Sequence, residues 1–226
     1  MKIKIFLCLS ICICLTLQGC VGLMFDAAME SAGIADWRSI TINQSPSLTE
    51  SSPLSSVSPQ KICMMKFEDS RDVNRENKVG SLMTYRPGMG MGTAPIVAQN
   101  IASVSSLLAL SIGNELKRNN HTISADGEPC DFAITGAVKE FWINTPSLNI
   151  PFAKKRCEGT IEVGISVRRT KDNNFFFSKT YTGTYTGAEY GREEPSPFLM
   201  AEALDNALLD LLKNFSQDSE LAIKFK

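Results

Sequence analysis

Cys20 is the residue whose chemistry follows most directly from its surroundings. It comes after Gly19 at the end of an apolar run, residues 5–17, which begins next to two lysines. The run is shorter than the roughly 20 residues of a membrane-spanning helix, so it predicts a cleaved targeting segment. A thiol in this position is typical of a bacterial lipobox, where it accepts a diacylglyceryl group. We predict signal cleavage between Gly19 and Cys20 and lipidation of Cys20. The alternative is an ordinary secretory signal whose cleavage site contains cysteine.

The lipid would hold the chain on a membrane without a spanning helix. Each buried methylene contributes about 0.8 kcal/mol, so two or three acyl chains anchor stably where one chain does not. Val21 follows the modified cysteine, in place of the aspartate that signals inner-membrane retention in enteric bacteria. We therefore predict a lipid anchor in the outer membrane, with the domain facing the periplasm and the membrane as one partner.

A charged pair and a methionine-bearing loop are the candidate interaction residues. Asp69 and Arg71 could bind a partner, or they could form a local ion pair that shapes the loop. Met89 and Met91 alternate with glycines, and methionine side chains adapt to irregular surfaces. Glycine amides before a helix can cradle an anion, but a dinucleotide site would also need a strand directly before the glycines. We expect this loop to contact a protein or lipid.

No set of residues predicts catalysis. His121 is the only histidine and lies among asparagines near a predicted helix end, which indicates a cap residue rather than a base. Glu193 and Glu194 precede a predicted helix, where acids favour the helix dipole. Arg156 could lower the pKa of the Cys157 thiol, but we interpret Cys157 as a strand-edge residue. We predict a non-enzymatic protein without catalytic residues, and a periplasmic hydrolase is the least favoured alternative.

Charge and cysteine content argue against further classes of site. Without residues 1–19, which hold two lysines and no acids, the chain has 21 basic and 24 acidic residues and a net charge of −3. A nucleic-acid partner would need clustered positive charge, so we predict none. The spacing of the remaining cysteines fits no metal site, and we predict neither a metal nor a cofactor. One disulfide of undetermined pairing and three buried thiols stay equally open for Cys63, Cys130 and Cys157.

Composition divides the chain into three parts. Residues 1–19 are the predicted signal peptide, and residues 20–60 are the lipidated start and a tether. Serine and proline dominate residues 39–60, so this segment is predicted to bury too little apolar surface to become ordered. Residues 61–226 are long enough to build one hydrophobic core, and we predict a single periplasmic-type domain there.

Hydrophobic periodicity predicts the elements of this domain. Strands are expected at residues 61–67, 131–142, 159–169 and 175–187, and a long glycine-rich connection at residues 68–95. One helix is predicted from about Ala94 to Asn120, and another from Pro197 to Phe215 with Ser196 as its cap. The order β-α-β-β-β-α predicts an α+β fold. It would be a mainly antiparallel sheet of about four strands with two helices packed on one face.

Four short segments carry a resemblance to a known family: the lipobox at Cys20, Phe67-Glu68-Asp69-Ser70-Arg71, Val79-Gly80 and Glu115-Leu116-Lys117-Arg118. Through them the sequence resembles the YajG-like family of small bacterial lipoproteins. The resemblance covers about residues 61–220 and also extends in layout to auxiliary lipoproteins of ABC-type lipid transport systems and to the lipopolysaccharide-assembly lipoprotein. It implies this fold and an envelope location, without an assigned activity. Because the Val79-Gly80 motif is part of the resemblance, we add Gly80 to the predicted interaction residues.

Together these observations predict a membrane-anchored, non-enzymatic envelope lipoprotein. Its α+β domain would meet a protein partner or lipid through the glycine-methionine loop and the exposed face or edge of the sheet. The alternative is an auxiliary lipoprotein subunit of an envelope lipid transport system of the ABC type.

Overall fold

Eight strands form one mixed sheet in the residues that the computed structural model describes, which are 38–86, 90–125, 127–145, 155–172, 175–190 and 194–225. The strands are β1 (Arg38–Ile40), β2 (Lys61–Asp69), β3 (Lys78–Arg86), β4 (Gly90–Ala98), β5 (Thr122–Ile123), β6 (Phe132–Asn144), β7 (Lys155–Arg169) and β8 (Phe175–Tyr190). The helices are α1 (Val104–Arg118), α2 (Pro197–Ser216) and α3 (Ser219–Lys224), and a short 3-10 turn lies at Pro53–Ser56.

The central strand β6 has one edge that is shared between two branches of the sheet. On its first edge β6 pairs with β7, and β7 pairs with β8, both antiparallel. On its second edge β6 pairs in parallel with β2 along its first half and with β3 only at Ile143 and Asn144. β5 extends the β2 branch, and β4 and β1 extend the β3 branch. Parallel and antiparallel pairs therefore occur in the same sheet.

The antiparallel meander of β6, β7 and β8 confirms the predicted order of these strands. β7 alternates buried Ile161, Val163, Ile165 and Val167 with more exposed residues, as a strand with one buried face does. α2 begins where predicted, because the Ser196 side chain accepts a hydrogen bond from the Leu199 N–H and Pro197 follows the cap. Its apolar stripe packs on the buried face of the meander.

The predicted sheet of about four strands with two helices is wrong. The four additional strands are β1, β3, β4 and β5, and α3 adds a third helix. β1 and β5 have only three and two residues, too few to show a period of alternation. β3 and β4 occupy most of the predicted connection at residues 68–95 and pair with each other as a hairpin. Gly80 in β3 and Gly90 and Gly92 in β4 interrupt the alternation of apolar and polar residues, so the sequence shows little strand periodicity there.

The first predicted helix begins ten residues later than expected. Ala94 lies in β4, and α1 starts at Val104 with Ser103 as its cap. The apolar spacing of Val97 and Ile101 fits a helix, but β4 pairs Val97 with Lys78 and so holds it extended. Pairing with a neighbouring strand therefore overrides the local pattern there.

Residues 40–60 pack against the domain, so the predicted tether at residues 39–60 is wrong. Ile40, Ile42, Leu54 and Val57 are buried. The Asn100 side chain accepts from the Ile42 N–H at 3.0 Å and donates to the Ile42 carbonyl at 2.7 Å, which fixes this segment in place. Few apolar residues suffice here because each one meets a specific site on the domain.

A disulfide joins Cys63 in β2 to Cys130 just before β6. The two strands are parallel neighbours, so the bond links adjacent elements that are 67 residues apart in sequence. Cys157 remains a buried thiol. None of the helices in the described ranges is both long and apolar enough to cross a membrane.

Candidate functional site

Asp69 and Arg71 lie where the sheet divides. β2 leaves β6 after Asp69, and β3 joins β6 at Ile143. Arg71 Nη1 occupies the junction and donates to the carbonyl oxygens of Phe141 in β6 and Lys78 in β3, at 3.1 and 2.8 Å. The guanidinium therefore connects the two branches and satisfies backbone acceptors at the point where strand pairing changes.

All five N–H donors of Arg71 are used within the chain. Nε and Nη2 donate to the two carboxylate oxygens of Asp69 at 2.8 and 2.6 Å, and Nη2 also donates to the Glu76 carbonyl at 3.0 Å. The Arg71 side chain is only 4% exposed. Since an arginine has five such donors, none remains for an outside ligand. The geometry supports the local ion pair rather than a partner-binding role for these two residues.

The environment keeps Asp69 ionised. Burial alone opposes the charged carboxylate, but the hydrogen bonds and the positive charge of Arg71 outweigh burial and lower the pKa of Asp69 below its usual 3.8. The carboxylate therefore stays charged near neutral pH, where it neutralises the buried guanidinium.

The structure gives positions for two of the other predicted interaction residues, Gly80 and Met91. Gly80 is buried in β3, where an added Cβ would lie 2.9 Å from the Ile143 carbonyl oxygen, so close strand packing requires glycine. Met91 lies in β4 opposite Tyr85. Met89 lies outside the described residues, as do Gly19 and Cys20.

A shallow depression of about 340 Å³ opens beside the ion pair. Lys139 in β6 lines this depression, and its side chain reaches across β7. Its Nζ donates to Thr180 Oγ1 in β8 at 2.9 Å and lies 3.3 Å from a Glu162 carboxylate oxygen in β7. The depression therefore continues onto the sheet face that points away from α2. Its lining residues are Arg71, Asp72, Val73, Lys139, Glu140, Phe141 and Trp142.

That open face of β6, β7 and β8 is rich in hydroxyl groups. The strand register places Thr160 between Trp142 and Thr184, and Ser166 Oγ lies 3.0 Å from Ser178 Oγ. Side chains on this face are exposed or half-buried, so hydroxyl and charged groups are available to hydrogen-bond a partner. The hydroxyl-bearing residues of the face are Thr135, Thr160, Ser166, Ser178, Thr180, Thr182, Thr184 and Thr186.

Two side chains of α2 cover part of the outer edge of β8. Asp210 accepts from the Thr184 N–H at 3.0 Å, and Asn214 donates to the Thr182 carbonyl at 2.8 Å. An added strand would need these same backbone groups. The face of the meander is therefore more accessible to a partner than this stretch of its edge.

Asp218 is a polar centre that the sequence analysis missed. Its Oδ2 accepts from Lys179 Nζ at 2.8 Å and from the Tyr181 hydroxyl at 2.7 Å, while Oδ1 caps α3 by accepting from the N–H groups of Glu220 and Leu221. Burial opposes the Asp218 charge, but the bonds from Lys179 and Tyr181 outweigh it and lower the Asp218 pKa. Burial and then Asp218 raise the Tyr181 pKa. The sequence signal that points to Asp218 is an aspartate preceding a short helix.

Among the described residues, the bonds of the Asp218 cluster are structural: they hold α3 against β8. The cluster borders a shallow depression of about 510 Å³, but both oxygens of Asp218 are engaged and Tyr181 keeps its proton. The carboxylate attaches α3 to β8, which explains its burial without a substrate.

His121 and Cys157, which the sequence did not favour as catalytic residues, lie far apart in the structure. His121 Nδ1 accepts from the Gln60 N–H at 3.3 Å beside the Phe225 ring, and burial lowers its pKa despite an opposing backbone hydrogen bond. Burial, with the charge of Glu202, raises the pKa of Cys157 to about 11. Phe225 packs on Phe132 at the start of β6, whereas Cys157 lies about 40 Å away at the other end of the meander.

The remaining candidates also have local partners. Glu194 forms an ion pair with Arg38 at 3.0 Å, and Glu193 lies outside the described residues. Within the described ranges, no three side chains of histidine, cysteine, aspartate or glutamate come together in a way that could hold a metal ion.

Several solved structures are similar to this chain at low sequence identity. Protein XCC0632 from Xanthomonas campestris, which carries the family model DUF330, superposes with a TM-score of 0.52 at 11% identity, covering 83% of this chain and 96% of that chain. A minor lipoprotein from Acinetobacter baumannii gives a TM-score of 0.36 at 12% identity, covering 71% and 92%. Lipoprotein GNA1162 from Neisseria meningitidis gives 0.28 at 12%, covering 69% and 99%.

The similarity to the Xanthomonas structure supports a shared fold. The other two similarities are too weak to support one. No protein-family model matches the chain, and no curated protein matches its sequence. The YajG-like resemblance therefore stays a prediction.

Proposed function

We propose that this chain is a non-enzymatic lipoprotein of the bacterial cell envelope that presents the open face of β6, β7 and β8 to a protein partner. Acylation of Cys20 after cleavage behind Gly19 holds it on the outer membrane, and Val21 supports that location over the inner membrane. The observation that carries the proposal is the face itself, because three long strands bury one side under helices and leave the other side polar and open.

The size and chemistry of the face fit a protein surface. Three strands about 4.8 Å apart and about 40 Å long offer roughly 600 Å², near the approximately 800 Å² that each partner contributes to a standard interface. Hydroxyl rows with scattered Glu158, Glu162 and Arg168 favour a polar, partly hydrated contact over an apolar lipid chain. The adjoining depression with Trp142 supplies an aromatic anchor of the kind found at the centre of interfaces.

The state of the buried groups supports a binding role over catalysis. The Cys157 thiol has a raised pKa and is a poor nucleophile near neutral pH. The carboxylates of Asp69 and Asp218 are held by partners within the chain. The alternative is an auxiliary role in an ABC-type lipid transport system, because the sequence is similar in layout to the lipoproteins of such systems.

Site-specific photocrosslinking in intact cells tests the proposal. A photoreactive phenylalanine analogue at Thr182 lies on the open face, and the matched control at Leu110 is exposed on α1. We expect a defined crosslinked protein from Thr182 and none from Leu110. The crosslink from Thr182 should be lost when Cys20→Ala releases the chain from the membrane. Recovered transporter subunits would identify the auxiliary role. Equal crosslinking from both positions, or none from either, would contradict the assigned face.

A further inference from the structure

The ends of several elements meet at one pole of the molecule. The pairings of β3 with β6, β6 with β7, and β7 with β8 bring the exit of β6, the entry of β7 and the exit of β8 to the same end of the sheet. α2 starts there too, because it runs over Gly159 first and Gly183 later. We call this end the N-terminal pole, and its described boundary residues are Arg38, Arg86, Gly90, Thr145, Lys155, Tyr190 and Pro197.

The first described strand begins on the side of this pole. β1 pairs in parallel with β4, Arg38 opposite Ile96, so β1 starts on the side of the sheet where β3 ends and β4 begins. Seventeen residues lie between Cys20 and Arg38. Even fully extended, this connection spans roughly 60 Å, and a flexible chain of that length averages about 23 Å. This average reach is shorter than the roughly 40 Å length of the meander, so a lipid at Cys20 favours the approach of this pole to the bilayer over the opposite one.

The N-terminal pole also carries the most exposed large apolar side chain in the described residues. Phe198, in the first turn of α2, is 74% exposed. A side chain this exposed gains little from packing in the domain, whereas insertion at a lipid interface would remove its apolar surface from water. Ile223 in α3 is comparable at 63% but lies at the opposite pole, beside the Asp218 cluster at the start of β8.

The β3–β4 hairpin extends past the sheet towards the same pole. In the described register, β3 pairs with β6 only at Gly80 and Ser81, whereas Leu82 to Arg86 pair with β4. We call this pair of strand ends, residues 82–86 and 90–94, the β3–β4 arm, and its sequence contains Met83, Tyr85 and Met91. A two-stranded arm that projects at the same pole as Phe198 gives the pole two separate points of contact with a flat surface.

We propose that the N-terminal pole rests on the phospholipid bilayer, with Phe198 inserted at the level of the headgroups and the β3–β4 arm beside it. The inference builds on the proposed lipidation of Cys20 and adds an orientation. The long axis of the meander then stands away from the membrane, and the open face is presented sideways to a partner on the same membrane. Interfacial side chains of this type reach about 5–10 Å into the bilayer.

Fluorescence quenching by brominated lipid tests this orientation on the acylated full-length chain. The two native tryptophans are replaced by Trp37→Phe and Trp142→Phe, and one reporter is introduced by Phe198→Trp or, as the matched control, Ile223→Trp. Both reporter positions are exposed on helices, so both variants should fold, and circular dichroism checks this. The vesicles contain phosphatidylethanolamine and phosphatidylglycerol, part of which carries brominated acyl chains.

We expect every variant to float with the vesicles, and Phe198→Trp to be quenched at least about twofold more than Ile223→Trp, because bromine quenches only within the depth that interfacial residues reach. Flotation with equal quenching of the two reporters would overturn the orientation and leave the lipid anchor intact. Failure to float would overturn both the anchor and the orientation that depends on it.

Discussion

At the scale of single residues, the charged pair Asp69–Arg71 shows how a candidate binding site becomes a structural one. The same charge that could recognise a partner is instead used on five acceptors inside the chain. Buried pairs of this kind depend on both members, because removing one leaves an uncompensated charge in a poorly hydrated place.

Asp69→Asn should lower the free energy of unfolding by about 3 kcal/mol, near the lower limit for breaking a buried pair, because asparagine can still accept one hydrogen bond. Urea denaturation at neutral pH measures this loss. The control is Asp172→Asn, which removes an exposed ion pair with Arg169 and should change stability by less than about 0.5 kcal/mol.

The pH dependence of this effect has a defined sign. Since the pKa of Asp69 is lower in the folded chain than its usual 3.8, its stabilisation is complete above that value and disappears as pH falls through the folded pKa. The difference between the parent and Asp69→Asn should therefore be constant from neutral pH down to about pH 4 and should shrink below it. A difference that grew towards acid pH would contradict the assignment.

At the scale of elements, the packing of α2 on the meander depends on residues without side chains. A Cβ at Gly183 would collide with the Ala207 carbonyl oxygen and the Leu211 N–H, and one at Gly159 would collide with the Ala203 carbonyl. The helix backbone thus lies directly on the sheet. The obstacles are backbone atoms, so they cannot move aside without lifting the whole helix.

Gly183→Ala should lower the free energy of unfolding by at least about 3 kcal/mol, at the upper end of the usual cost of overpacking, because the helix must shift. Gly164→Ala is the matched control on the adjacent strand. Its Cβ would meet Lys139 at an ordinary 3.6 Å, so alanine should be neutral or stabilise by about 0.5 kcal/mol. Thermal unfolding compares the two. Equal stability of both variants would show that α2 does not lie against Gly183.

At the scale of the whole molecule, contacts distant in sequence join the start of the described chain to its end. The Ser52 hydroxyl donates to the Ser216 carbonyl at 2.6 Å, and Lys213 pairs with Glu50 at 3.0 Å. The Cys63–Cys130 disulfide adds a covalent link between β2 and the start of β6. These links join residues 50–52 to α2, and β2 to the start of β6.

Reduction of that disulfide should lower the free energy of unfolding by about 3–4 kcal/mol, because a closed loop of this size restricts the unfolded chain strongly. Urea denaturation with and without dithiothreitol measures the change. The parent and Cys157→Ala should both respond to reductant, whereas a double variant with Cys63→Ala and Cys130→Ala should not. A parent chain insensitive to reductant would contradict the pairing.

Local pattern was sufficient for part of this fold. The alternation in β7 and the capped stripe of α2 each require only neighbouring residues to be recognised, and the structure confirms both. Arg71 shows the limit of such reasoning. Its acceptors at Lys78 and Phe141 belong to other strands, so its role could not be separated from partner binding until the strands were placed.

The sequence by itself determined two features that are written in contiguous residues, the antiparallel meander and the last long helix, and it predicts a third, the targeting run before Cys20. Only the tertiary structure decided the branching of the sheet, the pairing of Cys63 with Cys130, the burial of Ile40 and Leu54, and the open face. The physical reason is that periodicity reports which side of an element is buried, whereas the energy of strand pairing, close packing and cross-linking comes from partners that the chain brings together only when it folds.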